Sequence, residues 1–158
     1  MIPSNVRARG RWTSIYVSLV IAQLASFAAT LLLTERDHSD ESFYWVIFWV
    51  IVIFGLAWVF VGTFTLGIWS ASARRRDSEG FQQRGVYRYV RHPIYTGLMT
   101  VALAFVVVGP TLLGGIGYLA VIATSNARAG VEERMLTEKS SEYAEYRKRT
   151  KRFIPFVI

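Results

Sequence analysis

Apolar residues in this chain come in long blocks, and short charged stretches separate the blocks. The first block, about Thr13 to Leu33, has 21 residues, and a helix of that length reaches about 31 Å at 1.5 Å per residue. The second block, Phe43 to Trp69, has no charged residue across 27 positions. Because about 20 apolar residues cross the hydrocarbon core of a bilayer, both blocks predict membrane-spanning helices.

The third apolar block is too long for a single crossing. It covers residues 94–127, and one helix of these 34 residues would reach about 51 Å. Gly109 and Pro110 lie near its middle, and a proline lacks the amide hydrogen that a continuous helix needs. We therefore predict two short spans, at 94–108 and 111–127, that form a tight helical hairpin.

The segment from Arg128 onward is charged, and it is predicted to be an amphipathic helix that ends before Phe153. Four of its residues recur at helical spacing: Leu136, Tyr143, Tyr146 and Thr150. The predicted fold is thus an all-α integral membrane protein with four transmembrane helices, the last two a tight hairpin. A C-terminal cytoplasmic amphipathic helix follows, and residues 1–158 form a single domain.

The positive charges indicate how these spans are oriented. Four spans place seventeen of the eighteen Lys and Arg residues on one side of the membrane, and only the 34–42 loop, with one, lies on the other. Loops rich in Lys and Arg stay in the cytoplasm. We therefore expect an integral protein of a prokaryotic inner membrane with both termini cytoplasmic.

Composition excludes several other classes of site. The chain has no cysteine, so disulfides, thiolate metal sites and cysteine nucleophiles are excluded, and with two histidines we expect no metal site. The net charge of +7 and the pI near 10.1 are typical of nucleic-acid binding, but no binding motif accompanies them. We assign the charge to anionic membrane lipids instead and expect no nucleic-acid partner.

Two polar clusters border the predicted hairpin. Arg128 and Glu132 are four residues apart, so they share one helix face where the fourth span ends. His92 and Pro93 begin the third span. Ionisable groups at such places are functional candidates, but a plain ion pair and a solvated histidine explain the same patterns. Neither cluster is specific by itself.

Together the clusters belong to a longer pattern. It consists of GVYRYVRHPIYTG at 85–97, NARAGVEERML at 126–136 and EYAEYRKRTKRFIP at 142–155. This order and spacing resembles the isoprenylcysteine carboxyl methyltransferase family, and also the related membrane phospholipid methyltransferases. The resemblance covers about 80–155. Val86 stands where the family often has proline, and Ser140-Ser141 replaces a common glycine.

The resemblance implies methyl transfer from S-adenosylmethionine to a lipophilic acceptor. A carboxylate of this donor fits a histidine and the amino end of a helix, which His92 and Pro93 supply. We assign its ammonium group to Glu133, and we expect Gly97 and Leu98 to let the hairpin approach the donor closely. Its adenine and sulfonium favour aromatic faces. Three tyrosines are assigned to them: Tyr87, Tyr95 and Tyr146.

The resemblance also implies roles for the two catalytic candidates. Arg128 would hold an acceptor carboxylate, which is ionised near neutral pH and needs no base, and Glu132 would orient Arg128. An amine or phosphoethanolamine acceptor would instead lose a proton to Glu132. A prenylcysteine-like carboxylate is our first choice, and a phospholipid or another small amphiphile is the alternative. Membrane lipids are the other expected partners, and the oligomeric state stays open.

Two further functions compete with methyl transfer. Distant relatives of this architecture include NADPH-dependent sterol reductases, although these have additional spans. A non-enzymatic membrane protein with a basic tail is the third candidate, and under it Arg128, Glu132 and His92 are replaceable with small losses of stability.

Overall fold

The computed structural model describes residues 4–33, 42–73 and 81–154. Apart from Ser42, the predicted loop at 34–42 lies outside these residues, as do residues 74–80 of the basic segment that follows the second apolar block. The described chain is all-helical, with five α-helices, one 3-10 turn and no strand. The helices are α1 (Ser4–Leu33), α2 (Ser42–Ala73), α3 (Pro93–Val108), α4 (Leu112–Lys139) and α5 (Ser141–Arg149).

Within the described residues, α2 alone contains a segment long and apolar enough to cross a membrane by length and composition. This segment is Phe43–Gly67, 25 residues, and it is apolar on all sides. Large side chains such as Trp49, Phe54 and Phe60 are exposed along it, which is typical of a helix that faces lipid. Ile21–Leu32 and α3 are shorter apolar helices. α2 is thus one clear candidate for a membrane span, as the second apolar block predicts, and the four-span topology stays a prediction.

The bundle is built by two helix pairs, because α3 packs mainly on α2 and α4 mainly on α1. Glycines bring α2 and α3 close together. A Cβ atom at Gly97 would lie 2.5 Å from the carbonyl oxygen of Gly55 and 2.8 Å from the amide nitrogen of Val59. The two backbones therefore touch, as small residues allow in membrane bundles.

Polar groups connect α1 to α4. The Ser125 hydroxyl donates to Oε1 of Gln23 at 3.0 Å, and Gln23 Nε2 donates to the Val121 carbonyl at 3.4 Å. Gly117 packs against the backbone of Thr30. Such buried bonds between helices contribute about 1 kcal/mol each and fix which faces meet.

The helical hairpin agrees with the predicted division at Gly109-Pro110. α3 ends at Val108, and Thr111 caps α4 by accepting a hydrogen bond from the Gly114 amide at 3.0 Å. However, α4 does not end with the apolar block at residue 127, because it continues to Lys139 and so extends past the expected span.

The predicted C-terminal amphipathic helix is interrupted. Ser140 adopts an extended backbone, with φ −145° and ψ 123°, so α4 ends there and the short α5 begins. The buried face of α5 consists of Tyr143 and Tyr146, as its amphipathic pattern predicts.

The segment before α3 and the tail after α5 lie side by side. Lys151 pairs with the 89–91 backbone: its carbonyl accepts from the Arg91 amide at 2.8 Å, and its amide donates to the Tyr89 carbonyl at 3.2 Å. The Arg152 carbonyl accepts from the His92 amide at 3.1 Å. This short pairing fixes the tail against the amino end of α3.

The contact between α2 and α3 generates a stability prediction. In Gly97→Ala the new methyl group meets helix backbone, which cannot rotate away, so we expect the free energy of unfolding to fall by about 1–3 kcal/mol. Gly115→Ala is the control, because a Cβ atom at this position meets no neighbouring side chain or helix within 4 Å. Alanine has a higher helix propensity than glycine, so we expect stability to stay unchanged or to rise by up to about 1 kcal/mol. Thermal unfolding in detergent measures both, and equal midpoints would contradict the close approach.

Candidate active site

A cavity of about 400 Å³ lies where the end of α2, the 81–92 segment, the first turn of α3, α4 and α5 meet. Its volume is within the roughly 300–1,000 Å³ of typical small-molecule sites. Its wall combines charged, aromatic and aliphatic side chains. They are Leu66, Phe81, Gln82, Tyr87, Arg91, His92, Pro93, Ile94, Tyr95, Arg128, Glu132, Leu136, Tyr143 and Tyr146.

Behind the cavity wall, the carboxylate of Glu133 is buried, with 1% of the residue exposed. Oε1 accepts hydrogen bonds from Arg91 Nε at 3.0 Å and Arg152 Nε at 3.1 Å, and Oε2 accepts from Arg152 Nη2 at 2.8 Å. His92 Nε2 lies 3.2 Å from Oε1, and Arg147 Nε lies 3.4 Å from Oε2. Burial alone would raise the pKa of Glu133, but the hydrogen bonds from His92, Arg152 and Arg91 hold it well below its ordinary range.

His92 lies between two carboxylates. Its Nδ1 is 3.4 Å from Oε2 of Glu132, and its Nε2 is 3.2 Å from Oε1 of Glu133. Both ring nitrogens donate only when the imidazole is protonated. Burial would lower the pKa of His92, but the two carboxylates outweigh burial and raise it above 6.5. His92 therefore connects Glu132, on the wall, with Glu133 behind it.

Tyr95 joins the two clusters that the sequence placed far apart. Its ring stacks on the His92 imidazole, with centroids 5.4 Å apart and planes within 3°. The guanidinium carbon of Arg128 lies 4.7 Å from the Tyr95 ring centroid, a cation–π distance. The Tyr95 hydroxyl donates to Oε1 of Glu132. Arg128 and Glu132 thus reach the cavity beside the same ring.

Aromatic rings form another part of the cavity wall. Phe81 packs on Tyr143 and Tyr146, with ring centroids 4.8 and 4.9 Å away. The Tyr146 hydroxyl donates to the Tyr87 carbonyl at 2.6 Å, so α5 is fastened to the 3-10 turn at Gly85–Arg88. Burial raises the pKa of Tyr87 and of Tyr143 to about 12, so both hydroxyls are neutral donors at physiological pH.

The structure brings most of the predicted site residues to this one cavity. On its wall lie Tyr87, His92, Pro93, Tyr95, Arg128, Glu132 and Tyr146. Three others are placed elsewhere: Gly97 packs against α2, Leu98 packs beside Ala129 and Phe153, and Glu133 lies behind the wall.

Several residues of the site were not singled out from the sequence. Arg91 and Arg152 belong to motifs that the sequence showed, yet nothing in their spacing distinguished them from the other surface arginines. Phe81 and Gln82 precede the recognisable pattern and carry no signal of their own. Gln82 holds the segment against α2, because its side-chain amide donates to the Thr65 carbonyl at 3.1 Å.

The raised pKa of His92 generates a prediction on pH. The imidazole binds its proton more tightly in the folded chain than in the unfolded chain, where its pKa is about 6.5. Its stabilising contribution is therefore fully present below about pH 6.5 and is lost as the pH rises through the folded value. We expect the unfolding midpoint of wild type to exceed that of His92→Gln by the largest amount at pH 5.5–6.5, and this difference to shrink towards pH 9. A difference that does not change with pH would contradict the raised pKa of His92.

The comparisons with known proteins agree with the arrangement of this site. Residues 45–138 match the model of the Isoprenylcysteine carboxyl methyltransferase (ICMT) family. This range covers α3 and nearly all of α2 and α4, and hence the His92, Arg128 and Glu132 positions. Neither the curated proteins nor the solved structures gave a match. The resemblance predicted from the sequence motifs is confirmed: the chain belongs to the isoprenylcysteine carboxyl methyltransferase family and is a membrane methyltransferase.

Proposed function

We propose that the chain transfers a methyl group from S-adenosylmethionine to the carboxylate of a lipophilic, prenylcysteine-like acceptor. The observation that carries this proposal is a cavity in which Arg91, His92, Arg128 and Glu132 meet an aromatic wall. Family membership supports methyl transfer, and the chemistry of the cavity wall supports this donor and this class of acceptor.

The wall fits the donor group by group. The cations Arg91 and His92, beside the amino end of α3, fit its carboxylate. Phe81, Tyr143 and the other rings of the α5 side fit a flat base and a sulfonium. When bound, S-adenosylmethionine supplies an electrophilic methyl group on its sulfonium.

The buried position of Glu133 changes its proposed role. Its oxygens already accept from Arg91, His92 and Arg152, and it does not line the cavity. Glu132 is the carboxylate on the wall, with its side chain 24% exposed. We therefore assign the donor's ammonium group to Glu132, and Glu133 orients the cations that surround it.

The charges on the wall favour a carboxylate acceptor over an amine. Arg91 and Arg128 line the wall beside the carboxylate of Glu132, and Arg128 would pair there with an acceptor carboxylate. The Glu132 oxygens face the Tyr95 hydroxyl and the His92 imidazole, and taking up a proton from an amine would weaken both contacts. A carboxylate needs no base, so the chain's task is to align the acceptor through Arg128 and to exclude water.

A site at the cytoplasmic face would serve both reactants. Four spans with both termini in the cytoplasm would place the charged ends of α3 and α4 there, and the distribution of Lys and Arg supports this orientation. The exposed side chains of the first half of α4 are apolar, including Leu112, Ile116 and Leu119, which fits contact with lipid. The soluble donor would enter under α5. The acceptor's hydrocarbon tail would approach from the membrane, past Leu66 and Ile94.

The chemistry of the product tests this function. With labelled S-adenosylmethionine and a lipid extract that contains prenylcysteine, we expect a product that releases labelled methanol in mild alkali, because a methyl ester hydrolyses and an N-methyl group does not. Arg128→Ala should lower the rate by about 100-fold, since misplacing the acceptor costs that much.

Arg134→Ala is the matched control, because Arg134 is exposed on the same helix and should stay within about twofold of wild type. An alkali-stable product would support an amine acceptor instead. No transfer to any lipid would overturn the proposal.

A further inference from the structure

Arg152 lies in the C-terminal tail, beyond residues 45–138 that match the family. Its guanidinium group binds both oxygens of Glu133, with Nε to Oε1 at 3.1 Å and Nη2 to Oε2 at 2.8 Å. The third nitrogen, Nη1, donates to Oδ1 of Asn126 at 2.6 Å. The side chain is 23% exposed, so the guanidinium lies at the edge of the cluster, where a fork of parallel bonds fixes the plane of the carboxylate.

That carboxylate also binds two groups of the cavity wall. Oε1 of Glu133 accepts from Arg91 Nε and faces His92 Nε2. If the carboxylate turns, the directions of both bonds change with it. Arg152 therefore acts on Arg91 and His92 through Glu133, without lining the cavity itself.

The backbone of the same tail holds α5 in place. The Arg152 carbonyl accepts from the His92 amide at 3.1 Å, and the Phe153 carbonyl accepts from the Thr96 hydroxyl at 2.8 Å. Arg91 Nη1 donates to the carbonyls of Arg147 and Thr150, at the end of α5. The tail thus ties the aromatic side of the cavity to the amino end of α3.

We propose that Arg152 is a positioning residue for the methyl-donor site, because it fixes Glu133 and through it the Arg91 and His92 groups that face the donor. This role rests on the proposed function. It makes the donor site dependent on a tail that lies beyond residues 45–138, the part of the chain that matches the family.

Calorimetry with S-adenosylmethionine on the full chain in detergent tests the proposal. In Arg152→Ala we expect the dissociation constant, and KM for the donor, to rise about 10- to 100-fold, the usual effect of losing a charged hydrogen bond. At saturating donor, kcat should change little. Arg152→Lys keeps the charge but not the fork and should recover part of the affinity. Lys151→Ala, the control, removes a neighbouring exposed cation and should stay within about twofold.

A second readout needs no donor. The chain has two histidines, so an NMR titration of labelled histidine follows His92 once His92→Gln assigns its signal. In Arg152→Lys the cation stays near Glu133, but the fork that fixes the carboxylate is lost, so the bond between Glu133 and His92 should weaken. The pKa of His92 should therefore fall in Arg152→Lys and stay at the wild-type value in Lys151→Ala. An unchanged pKa in folded Arg152→Lys would contradict the positioning role.

The outcomes separate the two proposals. If wild type binds the donor and Arg152→Ala binds it with the same affinity, the role of Arg152 is overturned and the proposed function still stands. A wild-type chain that does not bind the donor overturns the proposed function and the donor role of Arg152 with it. If Arg152→Ala does not fold, Asn126→Ala replaces it, because this change at an exposed residue removes only the oxygen that accepts from Arg152 Nη1. We expect a smaller rise in the dissociation constant for this variant. An unchanged dissociation constant would contradict the proposal.

Discussion

The burial of one carboxylate organises the charged half of this protein. An ionised carboxylate away from water costs several kcal/mol unless cations and hydrogen bonds compensate it. Glu133 is compensated by Arg91, His92 and Arg152, which come from the segment before α3 and from the tail after α5. The carboxylate on α4 can therefore be buried only when these three parts of the chain are assembled, and their assembly closes the cavity.

The apolar half determines where that assembly occurs. Gly97 and Gly55 bring α3 against α2, and Ser125 bonds to Gln23 to fix α4 against α1. Because α4 is one helix from Leu112 to Lys139, it carries the packing of the apolar half directly into the charged cluster. The amino end of α3 and the second half of α4 are thereby held at one end of the bundle, where the proposed soluble donor and lipid-dissolved acceptor would meet.

The sequence predicted the helices well, because apolar blocks and helix-ending residues such as Gly109 and Pro110 are local signals. Most of the residues that it singled out also line one cavity. It could not predict which of two adjacent glutamates faces the cavity, since neighbours on a helix point about 100° apart and only packing decides between Glu132 and Glu133. Arg152 escaped notice for a similar reason: its partner is 19 residues away, and its role comes from a contact between segments.

The most direct test of this account is donor binding by wild type and Glu133→Gln, measured by calorimetry in detergent with S-adenosylmethionine, and with NADPH as the comparison ligand. The substitution keeps the shape of the side chain and removes the charge that holds Arg91 and His92 in place. We expect saturable binding of S-adenosylmethionine by wild type, none of NADPH, and a loss of about 10-fold or more in folded Glu133→Gln. Equal affinity of wild type and Glu133→Gln for S-adenosylmethionine, or binding of NADPH in its place, would contradict this account.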